Sequence, residues 1–192
     1  MHRRPGIAAY ARRTLPVCLA ALVGLAACTP PEERAEDFRA AADEYASAGS
    51  WELADVEIRN AARLAPEDPR VHRLRARIAL GLGDGSRAID ALERLLALEP
   101  GDAEAAVRVA ELYLAGSRLE EAGTAVARAT ELSPESVAAW RAAATYQLRR
   151  GALEAAQSAV ERARALDPQD EQTIVVAATV ALRADDPDRA RA

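Results

Sequence analysis

Pro66, Pro100, Pro134 and Pro168 are spaced by 34 residues each time. Proline lacks an N–H and its ring clashes with the carbonyl four residues back, so it ends helices and does not continue them. A helix-ending residue recurring at one interval means that a structural unit recurs with it. Other columns keep the same register. With each proline at repeat position 32, position 8 reads Ala42, Ala76, Ala110, Ala144 and Ala178, and position 20 reads Ala54, Ala88, Ala122, Ala156 and Ala190. Alanine at every instance of both positions exceeds what an alanine-rich composition supplies. The physical reason is a pair of helices crossing so closely that only a methyl group fits. Position 27, facing the next unit, is Ala61, Leu95, Ala129 and Ala163.

The remaining columns supply starts and turns. Position 34 is Asp68, Asp102, Ser136 and Asp170, side chains that accept from the orphan N–H groups of a following helix. Position 15 is Gly49, Gly83 and Gly151, with Ser117 and Asp185 as departures, and marks a tight turn between two helices. Helix formers outnumber β-branched residues and only 4% of residues are aromatic, which predicts an all-α chain. Phe38 and Trp140 at position 4, with Tyr45 and Tyr113 at position 11, read as core fillers. His72 and Ala106 at position 4 predict looser packing in the second and third units.

The whole pattern resembles the tetratricopeptide repeat. That resemblance implies a right-handed α-solenoid of antiparallel helical hairpins from residue 35 onward. It gives four full repeats at 35–68, 69–102, 103–136 and 137–170 and a partial fifth at 171–192. Each hairpin hides its apolar face only by stacking on its neighbours.

Residues 1–27 read as a signal peptide. Arg3, Arg4, Arg12 and Arg13 precede an apolar run from Leu15 to Ala27, too short against the roughly 20 residues that a membrane-spanning helix needs. Leu25-Ala26-Ala27-Cys28 resembles the lipobox of bacterial lipoproteins. The resemblance implies that Cys28 carries covalent lipid and becomes the new N-terminus, that 28–34 is a tether, and that Thr29 directs the protein to the outer membrane, facing the periplasm. Cys18 leaves with the signal peptide, so no disulfide is expected. Membrane contact is expected through the lipid alone.

His72 is then the one histidine, and no thiol is free of lipid, so zinc sites and Cys/His or Ser/His/Asp nucleophile schemes lack their parts. Neither a catalytic residue nor a metal or other cofactor is expected. A net charge of −5, more negative still without the basic leader, argues against nucleic acid as a partner.

The expected work is binding. In the repeat family, positions 2, 5, 9 and 12 face the concave side. Here they include Arg70, Arg73, Arg77 and Leu80 in the second repeat, Glu111 and Leu114 in the third, and Arg141 and Leu148 in the fourth. Arg73 and Arg77, with Arg141, are candidates to receive carboxylates of an acidic partner segment, since guanidinium forks pair bidentately with carboxylates. Asp55 to Ala61, followed by Leu64-Ala65-Pro66, resembles repeats of the lipoproteins that accompany exosortase-linked exopolysaccharide export. The expectation is therefore a membrane-anchored scaffold for other envelope proteins or their peptide segments, in assembly or export of an envelope structure. Alternatives are a pilotin-like lipoprotein for pilus secretins, a self-associating repeat protein, and a non-catalytic subunit of a polysaccharide enzyme. Gln172 to Leu182 is almost wholly apolar and lacks a polar capping helix, so continuation of the array or self-association through the fifth repeat is expected.

Overall fold

A computed structural model describes residues 30–184, which form nine α-helices and no strand. They are α1 (Pro31–Ser47), α2 (Trp51–Leu64), α3 (Pro69–Gly81), α4 (Gly85–Leu98), α5 (Ala103–Ala115), α6 (Leu119–Leu132), α7 (Val137–Arg149), α8 (Leu153–Leu166) and α9 (Glu171–Ala184). Each consecutive pair packs together, so four hairpins and the first helix of a fifth follow one another along the chain. The signal peptide, Cys28 and the later fifth repeat, including Asp185 and Ala190, lie outside the described residues.

The start of the first repeat differs from expectation: α1 begins at Pro31, inside the stretch 28–34 assigned to a tether. Proline at the first helical position costs no hydrogen bond, and Glu32 and Glu33 sit favourably at the positive end of the helix dipole.

Local chemistry sets both ends of the units. Asp68 accepts from the Arg70 N–H at 2.9 Å, Asp102 from Ala105 at 2.9 Å, Ser136 from Ala139 at 3.2 Å and Asp170 from Thr173 at 2.8 Å. All four residues of that column are thus working N-caps. Each turn inside a hairpin closes by an N–H bonding back five residues: Ser50 to Tyr45, Asp84 to Ala79, Arg118 to Tyr113 and Ala152 to Gln147. This closure puts the preceding residue at positive φ, and Gly49, Gly83 and Gly151 adopt 73–74° without penalty. Ser117 stands at φ 56° in the same place. Because a side chain in this region costs roughly 1–2 kcal/mol and glycine offsets part of its gain through unfolded-state entropy, Ser117→Gly is expected to stabilise by about 0.5–1 kcal/mol in chemical denaturation.

The alanine columns do what their spacing implies. Ala42, Ala54, Ala76, Ala88, Ala110, Ala122, Ala144 and Ala156 are all buried at the hairpin crossings, as are Ala61, Leu95, Ala129 and Ala163 between repeats. Ala178 is the exception and is exposed, its expected partner helix lying outside the described residues.

Two packing expectations need correction. His72 and Ala106 are buried, not loosely held. The His72 Nε2–H donates to the Pro66 carbonyl at 2.7 Å, just as the Trp140 Nε1–H donates to the Pro134 carbonyl at 2.8 Å. An N–H at position 4 thereby satisfies the carbonyl of the proline that ends the preceding repeat. Tyr113 is core, its hydroxyl donating to Glu93, and burial followed by that carboxylate pushes its pKa up to about 12. Tyr45, by contrast, is exposed.

Stacking of the first helices is interrupted once. The pairs α1 and α3, α5 and α7, and α7 and α9 touch, but no Cα pair between α3 and α5 comes within 8 Å. The apolar core divides near the same place, one cluster holding Ile58, Val71, Leu74 and Ile78 and a larger one running from Leu92 and Leu95 to Val180.

Candidate partner-binding groove

Residues three, four and seven apart on a helix share a face, so α3 aims Arg70, Arg73, Arg77 and Leu74 the same way. Across from them, α5 contributes Glu104, Ala105 and Arg108. Between the two separated helices lies a cavity of about 490 Å³, floored by Leu92 and Leu95 of α4 and reaching Arg39 and Asp43 of α1. The sequence-derived groove residues Arg70, Arg73 and Arg77 are brought together in it. Glu111 and Arg141 sit further along and meet each other at 3.0 Å. Leu80 lines the cavity, whereas Leu114 and Leu148, expected to face it, are buried beneath the helices.

None of the four groove arginines is a vacant fork. Arg70 pairs with Asp68 at 2.8 Å and Glu36 at 3.3 Å, and Arg73 with Glu99 and Asp102, both at 2.7 Å. Arg77 pairs with Asp43, and Arg141 with Glu111 at 3.0 Å and Asp170 at 3.3 Å. Read by repeat position, the ladder has a partial rule. In the second and fourth repeats the arginine at position 5 reaches the N-cap aspartate at position 34 of its own repeat, as Arg73 does Asp102 and Arg141 does Asp170, whereas in the first repeat Arg39 turns to Glu36 and Asp68 is held by Arg70. In the third repeat position 5 is Val107, and position 34 is then Ser136. Other rungs join successive repeats: Glu36 to Arg70, Asp43 to Arg77 and Glu111 to Arg141.

The carboxylates register this. The Arg70 guanidinium holds Asp68 below the ordinary aspartate range, and the Thr173 hydroxyl does the same for Asp170. For Asp102, burial pushes the pKa up, but the Ala105 N–H and Arg73 outweigh it and the net direction is down. A carboxyl depressed in the folded state stabilises fully above its ordinary value of 3.8, and that stabilisation is lost as pH falls through the lower, folded value. The ladder is therefore intact at neutral pH. The rungs of Arg70, Arg73 and Arg77 are at least half exposed on the arginine side and individually weak, and those of Arg141 are half-buried, so they align the repeats without sealing the groove.

Sequence reasoning found the arginines and missed their partners. The signal was available: the aspartates of position 34 were legible as caps, and one carboxylate serves both as cap and as ion partner.

Among the described residues, no group of three or more His, Cys, Asp or Glu could hold a metal ion, and no helix is long and apolar enough to cross a membrane.

Two family models, both described as tetratricopeptide repeat, match residues 39–103 and 79–145. No curated protein matches the chain in sequence. Solved structures similar to it include MamA from Desulfovibrio magneticus RS-1, at 22% identity and TM-score 0.74, the match covering 82% of this chain and 89% of that one. Pseudomonas aeruginosa PilF superposes at TM-score 0.66 with 18% identity, over 84% of this chain and 73% of that one. YrrB, whose structure is described as that of a TPR protein with an unusual peptide-binding site, does so at TM-score 0.67 with 20% identity, over 73% and 72% of the two chains.

Proposed function

We propose that this chain, which belongs to the tetratricopeptide repeat family, holds other proteins by peptide segments laid between α3 and α5. The observation carrying this reading is the single interruption in helix stacking, which opens a cavity with an apolar floor exactly where α3 lines up its arginines. Members of the family bind proteins or peptides, and the groove here has both halves of a peptide site: Leu74, Leu80, Leu92 and Leu95 for apolar side chains, and charges of both signs at the rim.

An acidic residue of the partner reaches Arg73 or Arg77 by exchange. It replaces Glu99 or Asp43, whose ion pairs are exposed and cost little to break, so specificity comes from fit and charge and affinity from the apolar floor. The reading places the protein on the periplasmic face of the outer membrane, anchored through lipid on Cys28, as a scaffold in assembly or export of an envelope structure such as an exopolysaccharide. The supports for that placement are the leader, the lipobox and the Asp55–Ala61 resemblance.

Crosslinking and pull-down of the intact lipoprotein in its own envelope test the groove. Arg73→Glu with Arg77→Glu is expected to remove the captured partners while leaving the melting curve cooperative. An unchanged set of partners sinks the proposal. The anchor is tested separately. Cys28→Ser is expected to abolish incorporation of labelled palmitate and to leave the leader uncleaved, and undiminished palmitate labelling of the Cys28→Ser protein would remove Cys28 as the lipidated residue.

A further inference from the structure

A second cavity, of about 470 Å³, lies between α2 and α3 and shares no lining residue with the groove. It is lined by Val56, Arg59, Asn60, Ala62, Arg63 and Arg75. Arg75 leaves α3 between Arg73 and Arg77, on the side turned away from theirs, because residues two apart on a helix point in different directions.

Two observations set this place apart. The first is charge balance. Each groove arginine has a carboxylate of the chain beside it, but among the described residues neither Arg63 nor Arg75 meets one. Arg63 bonds only to the Asn60 side-chain oxygen. Arg59 reaches Asp55 at 3.1 Å, yet that carboxylate is also bound by Arg87. The pocket thus holds two guanidiniums with no opposite charge and a third that shares its partner. The second is comparison among the repeats. The positions of Arg59, Arg63 and Arg75 are filled by Glu93, Ala97 and Val109 at the next junction, by Ala127, Glu131 and Ala143 at the third, and by Glu161, Ala165 and Ala177 at the fourth. The fold therefore has no need of arginine at any of the three. Three together in an acidic protein repel one another unless an anion joins them.

We propose that this pocket binds a phosphoryl group. A phosphate monoester carries nearly two negative charges at neutral pH on three tetrahedrally arranged acceptor oxygens, matching two uncompensated guanidinium forks with Arg59 as a third donor. A single carboxylate balances only one of the two. Leu53 and Val56, both about half exposed on the same helix, offer apolar contact to whatever bears the phosphate. The bearer is a lipid headgroup or a soluble phosphate ester, which share this chemistry.

The test uses the mature chain, residues 28–192, carrying Cys28→Ser, so that neither the basic apolar leader nor an acyl anchor contributes. Calorimetric titration with inorganic phosphate is expected to saturate, and Arg63→Ala with Arg75→Ala to weaken it at least about tenfold. Arg94→Ala, which removes a guanidinium already paired with Glu67, is expected to leave the affinity unchanged. Thermal unfolding of each variant checks that the repeats remain folded. Co-sedimentation with phosphatidylcholine vesicles, with and without phosphatidic acid, then separates the sources: binding only to the vesicles that contain phosphatidic acid assigns a headgroup, and phosphate binding without co-sedimentation assigns a soluble ester. Phosphate binding that does not saturate, or that is the same in the double variant, overturns the proposal. So does a glutamate-rich peptide binding there when phosphate does not.

Discussion

Ala122→Leu is expected to destabilise the chain by about 1–3 kcal/mol, and Ala127→Leu, five residues along the same helix, to change stability by less than about 0.5 kcal/mol. Ala122 has no exposed surface where α6 crosses α5, opposite Ala110, while the Ala127 side chain points to solvent. Three added carbons have nowhere to go at the crossing, because the facing residue is already the smallest that carries a Cβ. They must spread the two helices or force a strained rotamer. At Ala127 the same carbons meet water, and leucine is nearly as good a helix former as alanine. In a chain of this length the first substitution lowers the melting temperature by roughly 2–4 °C per kcal/mol, so circular dichroism separates the two outcomes easily. The effect is also expected to be local at first. A solenoid's stability is a sum of hairpin and nearest-neighbour terms, so a spread third hairpin loosens its contacts with the second and fourth repeats before the ends are affected. Equal destabilisation at Ala122 and Ala127 would mean that the crossing does not lie at the alanine column.

How much of this was legible follows from what a 34-residue register can carry. Features recurring in every repeat were readable from one sequence. They are the alanine crossings, the aspartate and serine caps and the positive-φ turns, filled by glycine in three of the four described repeats and by Ser117 in the other, because each repeat is an independent sample of the same constraint. Features belonging to one junction were not. The separation of α3 from α5 leaves no mark on the columns, since Ala76 and Ala110 are as small there as elsewhere. The pairing of Arg73 with Asp102 was hidden for another reason: its members are 29 residues apart, a spacing that means nothing until the hairpin folds back. Position 4 misled because its residues were judged by volume. A histidine looks small beside tryptophan, but what the site requires is an N–H aimed at a proline carbonyl, and His72 supplies it as Trp140 does. The exposure of Tyr45 is a similar lesson: Tyr113 at the same repeat position is met by Glu93 of the preceding repeat, and no described residue plays that part for Tyr45.

Glycines inside helices were equally mute, and they give the second large prediction. Helix propensity alone says that Gly81→Ala and Gly123→Ala should each stabilise by up to about 1 kcal/mol. The two surroundings separate them. A Cβ on Gly81, the last residue of α3, would land on the Trp51 indole, 2.6 Å from Cε2 and nearer still to two other ring atoms. The indole packs against the core cluster of the first two repeats and has no slack in that direction, so the ring has to turn out of its seat. Gly81→Ala is therefore expected to cost about 1–3 kcal/mol despite the better helix former, with a shift in the tryptophan emission as Trp51 becomes wetter. At Gly123 the obstacle is the Tyr146 hydroxyl end, Cζ lying 3.0 Å from the added carbon. The tip of a partly exposed ring moves aside cheaply, and Gly123→Ala is expected to lie between neutral and about 1 kcal/mol stabilising. The decisive comparison is a double-mutant cycle. If the indole is the cause, Gly81→Ala in a Trp51→Ala background loses its cost and regains the propensity benefit. A penalty that persists without the indole would locate the strain in the α3 backbone, and the contact between the first two repeats would then not depend on a bare Cα at residue 81.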